Sequence, residues 1–373
     1  MWILFFIATV LMGTAGDNQF RLVKPTRCAS LGDAELISCT VHSVGHCNDG
    51  SERQKVIVVE RGAVVDDGLI VTLEGAIVRD LIRYDDQNDH SLYSLYRSVL
   101  KGPALDQWDH TMYEGSLAVI LSEGPGNYYH WLLQILPRIS TLVQSNVPYD
   151  RIYVPHLNAE WQRSTLYAVL DHFSIAREKL FFSDPSVVFA RTLIVPSVSY
   201  IPAKGQLFPL WVRDMLQEIF LKKSSFSQEK NRRVAISRKN ASYRHIANEM
   251  ELSEVLEENG FRIVCLEELS VFEQARLFAD AEIIVAPHGA GLANLVFCKS
   301  GTHIIEIDHA SDEPRSHFRV LSRRLGLLYH PFYTDHRDDD HMEDDIVVDR
   351  AAFKRHLEEV LKKGLLFQKM ANS

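Results

Sequence analysis

The stretch Glu282-Ile283-Ile284-Val285-Ala286-Pro287-His288-Gly289-Ala290-Gly291 decides the fold class. Four consecutive apolar residues suit a strand buried on both faces. The proline and glycines behind it end that strand and lead into a short helix through about Phe297. Upstream, Arg233 to Ser237 reads as a strand. A helix follows from about Asn248 to Asn259, with Met250, Leu252, Val255 and Leu256 in helical register and Gly260 as its C-cap. Phe261 to Leu266 reads as strand and Val271 to Ala279 as helix. Downstream come a strand at Thr302–Ile307, a helix from about Pro314 to Leu325 and a short strand at Leu327–Tyr329. Strands alternating with helices at this pitch predict a parallel, Rossmann-like sheet.

The N-terminal half is less regular. Between about residues 20 and 110, short apolar runs alternate with turn signals, as in Lys55–Val59, Gly62–Val65 and Leu69–Val71. Leu117 to Leu121 predicts a buried strand running into the Gly-Pro loop at 123–127. A helix from Tyr129 to Gln144, a strand at Ile152–Val154, a helix from Glu160 to Phe173 and a strand at Arg191–Val195 follow. Pro196 to Pro209 reads as a connector, with a helix from Leu210 to Lys223 beyond it. The expected organisation is an apolar segment at 1–20, an N-terminal α/β domain at 21–205, a Rossmann-like domain at 206–350, and a C-terminal helix and tail at 351–373.

The chain has 373 residues, with 40 Lys+Arg against 49 Asp+Glu, a net charge of −9. That balance argues against a nucleic-acid binder, which carries a basic excess. No run reaches the roughly eighteen apolar residues of a spanning helix. Trp2 to Met12 is apolar and precedes small residues, yet no Lys or Arg comes before Arg21. It admits three readings: a signal peptide, a membrane-surface anchor or a buried strand. The expected location is cytoplasmic with peripheral membrane contact, or the secretory pathway if residues 1–16 are a signal. Five cysteines without a CxxC pair read as reduced thiols, with one N-terminal bridge open if the chain is secreted.

Parallel sheets bind ligands beyond the carboxyl ends of their strands. Ser237-Arg238-Lys239 follows one strand, His288-Gly289-Ala290-Gly291 the next, and Glu306 lies at a third. Cations, a glycine turn at a helix start and a carboxylate together suit a nucleoside diphosphate. Each alone has a plainer reading. The glycine turn can be close packing, Arg238 a surface charge, and the partner of Glu306 a structural arginine rather than a ribose.

These blocks, Ala235–Arg238, Asn248-Glu249, Gly260-Phe261, Glu273-Gln274, Pro287–Asn294 and Ile305-Glu306, resemble the family 61 glycosyltransferases. Asn127–Trp131 with Pro137-Arg138 looks like the other block of that family, and the spacing leans toward the bacterial polysaccharide-biosynthesis members. The resemblance implies α/β architecture of the GT-B kind, two Rossmann-like domains facing a cleft. It implies an inverting transferase that moves a sugar from a nucleotide-activated donor to a glycan hydroxyl, with no cofactor and no essential metal. The donor side would use Arg238, Lys239, Gly289, Ala290, Gly291, Asn294, Glu306 and Gln274. The acceptor side would use Asn127, Trp131 and Arg138, and the catalytic candidates are His130 and His288. Oligomeric state is left open.

Inverting transfer needs a base, and His130 suits that role near neutrality. Many family members carry an acidic residue four positions further on, where this chain has Gln134. Four outcomes follow: His130 acts alone, Glu123 enters from the preceding loop, His288 lies nearer the reacting carbon, or the chain is a non-catalytic nucleotide- or glycan-binding protein. The Asp- and His-rich run 335–345 reads as a solvated loop rather than a cation site. His303, His309 and His317 lack zinc spacing. Neither G-x-S-x-G nor G-x-G-x-x-G occurs, which excludes the hydrolase and dehydrogenase readings.

Overall fold

The computed structural model describes residues 27–29, 39–45, 49–65, 68–73, 75–78, 109–121, 124–154, 157–182, 187–197, 206–222, 232–310, 317–336 and 344–371. Residues 1–16, Cys47, Glu123 and residues 198–205 lie outside these, so the leader readings, one thiol, one candidate base and the middle of the connector do too. No helix among the described residues is long and apolar enough to cross a membrane.

The protein is mixed α/β with two sheets. The C-terminal sheet is wholly parallel. Its strands are β10 (Arg233–Ser237), β11 (Arg262–Cys265), β12 (Ile283–Pro287), β13 (His303–Ala310) and β14 (Leu328–His336), in spatial order β11-β10-β12-β13-β14. Its helices include α4 (Glu249–Glu258), α5 (Val271–Asp280), α6 (His317–Arg324) and α7 (Arg350–Ala371). Alternation along β12 explains the unbroken apolar run. Ile283 and Val285 pack with Val255 of α4 and Phe353 and Leu357 of α7. Ile284 and Ala286 join the opposite layer, with Phe278 of α5 and Leu295. Gly260 closes α4 with a left-handed backbone (φ 73°), as its position after the periodic run requires.

The N-terminal sheet departs from the Rossmann-like form expected of it. Its path is β1-β5-β4-β3-β9-β6-β7-β8, with β2 (Cys39–Val44) paired to β3. The remaining strands are β1 (Arg27–Ala29), β3 (Gln54–Val65), β4 (Leu69–Val71), β5 (Ala76–Val78), β6 (His110–Val119), β7 (Arg151–Val154), β8 (Leu180–Phe182) and β9 (Val187–Pro196). The runs 55–59 and 62–65 form one strand rather than two. The short β3–β4 link can only make an antiparallel pair. β3 is also antiparallel to β9, so the sheet is mixed. The run β9-β6-β7-β8 is parallel, and so is the β1–β5 pair.

The expected helix 129–144 is interrupted. One α-turn at Tyr128–His130 widens to a π-helix at Trp131–Ile135 before α1 (Pro137–Ser145). Pro137 has no N–H, and its ring would meet the carbonyl four residues back. The turn opens to accommodate it, with Leu136 N–H donating to the Trp131 carbonyl at 3.0 Å. The last strand is also longer than expected: β14 extends to His336, so residues 335–336 belong to the sheet.

Between the sheets lie α2 (Glu160–His172) and α3 (Leu210–Lys222). One apolar cluster runs through both halves, from Ala118, Ile152 and Ile194 through Leu166 of α2 and Val212, Leu216 and Phe220 of α3 to Ile284 and Val296. Arg324 of α6 adds a polar tie, with an Nη2–Asp49 Oδ2 ion pair of 2.9 Å and a bond to the Phe208 carbonyl.

At the far end of the C-terminal sheet, His303 and His330 stack at 5.2 Å with 3.0 Å between Nδ1 and Nε2. Burial holds both rings below the ordinary histidine value, His330 down to about 4, where the neighbouring His303 and Lys363 add to it. The folded state therefore binds fewer protons than the unfolded chain, and stability falls as pH drops below about 6.5. Thermal melts from pH 8 to 4 should show this decline, and His330→Asn should flatten it; an equally steep decline in the variant would refute the assignment.

Candidate active site

In the order β11-β10-β12-β13-β14 the chain leaves β10 toward β11 on one side, while β12 continues toward β13 on the other. The carboxyl ends of β10 and β12 therefore flank a topological switch point, where doubly wound sheets hold ligands. Arg238 follows β10 and His288-Gly289 follows β12. Both reach a cleft of about 360 Å³. Its opposite wall comes from the N-terminal half: Gly126, Asn127, Tyr128, Tyr129 and His130. Asn127 sets that wall, because its Oδ1 accepts from the Tyr129 N–H at 2.9 Å and so caps the single turn that carries His130.

His130 Nδ1 lies 2.8 Å from Gln134 Oε1, the i, i+4 pairing carried across the π-turn. Gln134 is fully buried. An amide oxygen there accepts from Nδ1–H, the tautomer in which Nε2 is the basic nitrogen.

Arg238 Nε donates to the Arg244 carbonyl at 3.1 Å and Nη2 to the Tyr243 carbonyl at 2.8 Å. Burial pulls its guanidinium below the ordinary arginine value, without removing its charge. Its fork lies against Gly289: a Cβ at that residue would stand 2.1 Å from Nη1. Glycine is required there by close approach, since its φ of 171° is extended backbone open to any residue.

His288 extends β12 by one ladder bond, its N–H donating to the Ile307 carbonyl at 2.8 Å. Since Pro287 pairs with Ile307, strand alternation sets His288 on the face shared by Glu306 and Asp308. Its Nδ1 is 2.5 Å from Glu306 Oε1 and 3.6 Å from Asp308 Oδ2. Glu306 Oε2 accepts from Tyr329 O–H at 2.6 Å. Burial, with Glu306 beside it, pushes the Tyr329 hydroxyl well above its ordinary value.

Among the described residues, His288, Glu306 and Asp308 are the group whose donor atoms, all within 4.8 Å of one another, could hold a cation. The fit is poor. Two ligands on one small cation stand about 3.4 Å apart, whereas Nδ1 and Oε1 are at hydrogen-bond distance, 2.5 Å.

The sequence candidates thus divide. Asn127, His130, Arg238, His288, Gly289 and Ala290 line the cleft. Glu306 lies behind His288 and is bonded to an imidazole, neither of the partners expected for it. Lys239 pairs with Glu268 at 3.3 Å and borders a separate, smaller pocket. Trp131 and Arg138 belong to the core rather than to an acceptor surface. Trp131 Nε1 donates to Thr165 Oγ1, and Arg138 Nε donates to the Pro196 carbonyl. Gly291 packs on Leu266, where a Cβ would meet Cδ1 at 2.7 Å. Asn294 and Gln274 form a buried chain across the halves: Tyr128 O–H donates to Asn294 Oδ1 at 2.8 Å, and Asn294 Nδ2 to Gln274 Oε1 at 2.9 Å.

Tyr128 and Tyr129, which the sequence offers only as part of the block 127–131, His317, weighed there only as a zinc ligand, and Tyr243, Arg244 and Phe318, which carry no assigned role, also line the cleft. Arg244 and Tyr243 were within reach by following the loop beyond Arg238. His317 and Phe318 begin α6 and carry no motif.

The fold and cleft define an α/β protein with a crevice bordered by Arg238 and Arg244. Residues 128–305, just under half of the chain, match the model of the family described as Glycosyltransferase 61. The chain is also similar to a β-1,2-xylosyltransferase of Arabidopsis thaliana, 35% identical over 68 residues, 18% of this chain and 12% of that protein. These matches support a family 61 glycosyltransferase. The relative is a plant protein, so the bacterial leaning of the sequence reading gains no support. The alignment spans about an eighth of the relative's length.

Proposed function

We propose that the protein is an inverting glycosyltransferase that moves a sugar from a nucleotide-activated donor to a glycan hydroxyl. The observation that carries this is the convergence of Arg238, Gly289 and His288 at the switch point, facing His130 across one cleft. In this reading the two halves act as the walls of a GT-B-like cleft, with residues 206–350 binding the donor. The acceptor oxygen attacks the anomeric carbon in line, and its proton passes to His130 Nε2. The C–O bond to the diphosphate breaks, and the leaving group takes the electron pair against the positive wall formed by Arg238 and Arg244. The matched family and the relative, a xylosyltransferase by name, favour transferase chemistry, and the proposed acceptor is a polysaccharide.

Transfer needs no metal in this scheme, because protein cations face the phosphates. Calorimetric titration with UDP, GDP, CDP and ADP and their sugar conjugates should find one nucleotide that binds selectively. Release of sugar from the bound conjugate should be unchanged by EDTA. Strict metal dependence would refute the metal-free scheme. Gln134 favours one second reading, a binding protein without turnover. It predicts nucleotide binding with neither transfer nor donor hydrolysis.

A further inference from the structure

The loop that follows β10 holds Arg238 through its own far end. Arg238 donates to the carbonyls of Arg244 and Tyr243, and the Ala241 N–H returns a bond of 2.9 Å to the Arg238 carbonyl. Arg244 adopts a left-handed backbone (φ 56°), which is costly for a residue with a Cβ. Such a turn persists only where its surroundings fix it. A strap at residues 345–348 fixes the far side of the loop. Ile346 N–H donates to the His245 carbonyl at 2.7 Å and Ala247 N–H to the Ile346 carbonyl at 2.8 Å. Asn248 exchanges a pair of bonds with the Val348 backbone. None of these strap bonds depends on charge.

The near side is closed by His245, which uses both ring nitrogens. Nδ1 lies 2.9 Å from Asp345 Oδ1, and Nε2 lies 2.8 Å from the Ala241 carbonyl. Both partners are acceptors. A neutral ring has one N–H and would turn a lone pair on one of the two oxygens. Only the imidazolium satisfies both. The bond to Asp345, then that to Ala241, lifts the ring above the ordinary histidine value. The His245 ring and backbone N–H in turn hold the Asp345 carboxyl below its ordinary value. Arg238, on the same loop, opposes charge on the ring. Arg244 precedes His245 in the chain, Asp344 precedes Asp345 on the strap, and Glu249 opens α4. The ring and its carboxylate are 33% and 53% exposed, so solvent can exchange the proton.

We infer that His245 is a positioning residue of the cleft: its imidazolium ties Ala241 to Asp345 and so sets Arg238 for a phosphate, and loss of the proton weakens the hold on that anion. The inference rests on the donor-site reading of Arg238 and adds a proton that regulates it. Residues 241–244 line the cleft, and His245 stands behind them. A neutral ring gives up one of its two bonds. The segment that carries both carbonyl acceptors of Arg238 then loses its near-side tie. The clamp is complete at low pH and is lost as pH rises through the titration of the ring. That sign is opposite to the one set by His303 and His330. The pair is exposed, so the effect is about threefold to fivefold in affinity.

The first test needs no ligand. In protein labelled with 15N-histidine, the signals lost in His245→Asn identify the ring. It should titrate above about pH 6.5, the ordinary histidine value, and Asp345→Asn should bring it down. The second test is calorimetric titration with pyrophosphate at pH 6, 7, 8 and 9, wild type beside His245→Asn. The ratio of the two affinities cancels the titration of the probe and of the other histidines in the cleft. Wild type should bind about threefold to fivefold tighter at pH 6, with the ratio falling to about one at pH 9. The strap bonds are main-chain or belong to Asn248, so the variant should keep a cooperative melt. A ring that titrates at or below pH 6.5 overturns the imidazolium and leaves the glycosyltransferase reading standing. A ratio above one that does not change with pH overturns the proton linkage, and a ratio of one throughout overturns the positioning role. If the wild type does not bind pyrophosphate at any pH, the donor reading of Arg238 fails and the inference with it.

Discussion

If the proposed donor site is right, Arg238→Ala should lose about a hundredfold in affinity for a nucleoside diphosphate, while its thermal unfolding should stay cooperative. The size follows from removing a half-buried guanidinium that, in the proposed scheme, faces the phosphates, a loss of about 2.7 kcal/mol. It also frees two backbone carbonyls, those of Tyr243 and Arg244, which the side chain now holds. Arg238→Lys separates the two effects, because lysine keeps the charge without the planar fork and should recover only part of the affinity. Gly289→Ala offers an independent route to the same result, since its methyl group would occupy the space of Nη1. Calorimetry of the three variants beside the wild type is the check. Unchanged affinity in Arg238→Ala would remove the switch point from the donor site.

His130→Ala should lower kcat by about 10²- to 10⁴-fold, the usual contribution of a positioned base. KM for the donor should change little, because the proton is transferred only in the transition state. The pH profile adds a second criterion. The wild type should lose rate as pH falls and the base becomes protonated, and the variant should lack that limb. Turnover within a few-fold of wild type would transfer the role of base to another group.

Much of the C-terminal sheet was legible because its signals are local. Ile283 to Ala286 reads as doubly buried, and Gly260 marks the end of a periodic run. The N-terminal sheet was less so. Its antiparallel pairing joins β3 to β9, over 120 residues apart, and local alternation cannot register partners at that distance. Part of the cleft was legible for the same reason as the sheet: Arg238, His288 and Gly289 immediately follow strands. Glu306 was singled out as a buried carboxylate needing a partner, yet the partner depended on the β12–β13 register that sets His288 beside it. Trp131, Arg138, Asn294 and Gln274 carried motif weight in sequence but make their hydrogen bonds within the interior. The widened turn before Pro137 was not legible, because a proline equally well opens a new helix.

The apolar cluster that passes through α3 links the two walls of the cleft energetically. Neither sheet can lose its inner layer without exposing side chains that the other sheet also covers. Ligand affinity on one wall is therefore shared as resistance to unfolding by the whole molecule. The geometry of the cleft is inherited from folding itself, and any ligand meets a gap whose width the core has already set.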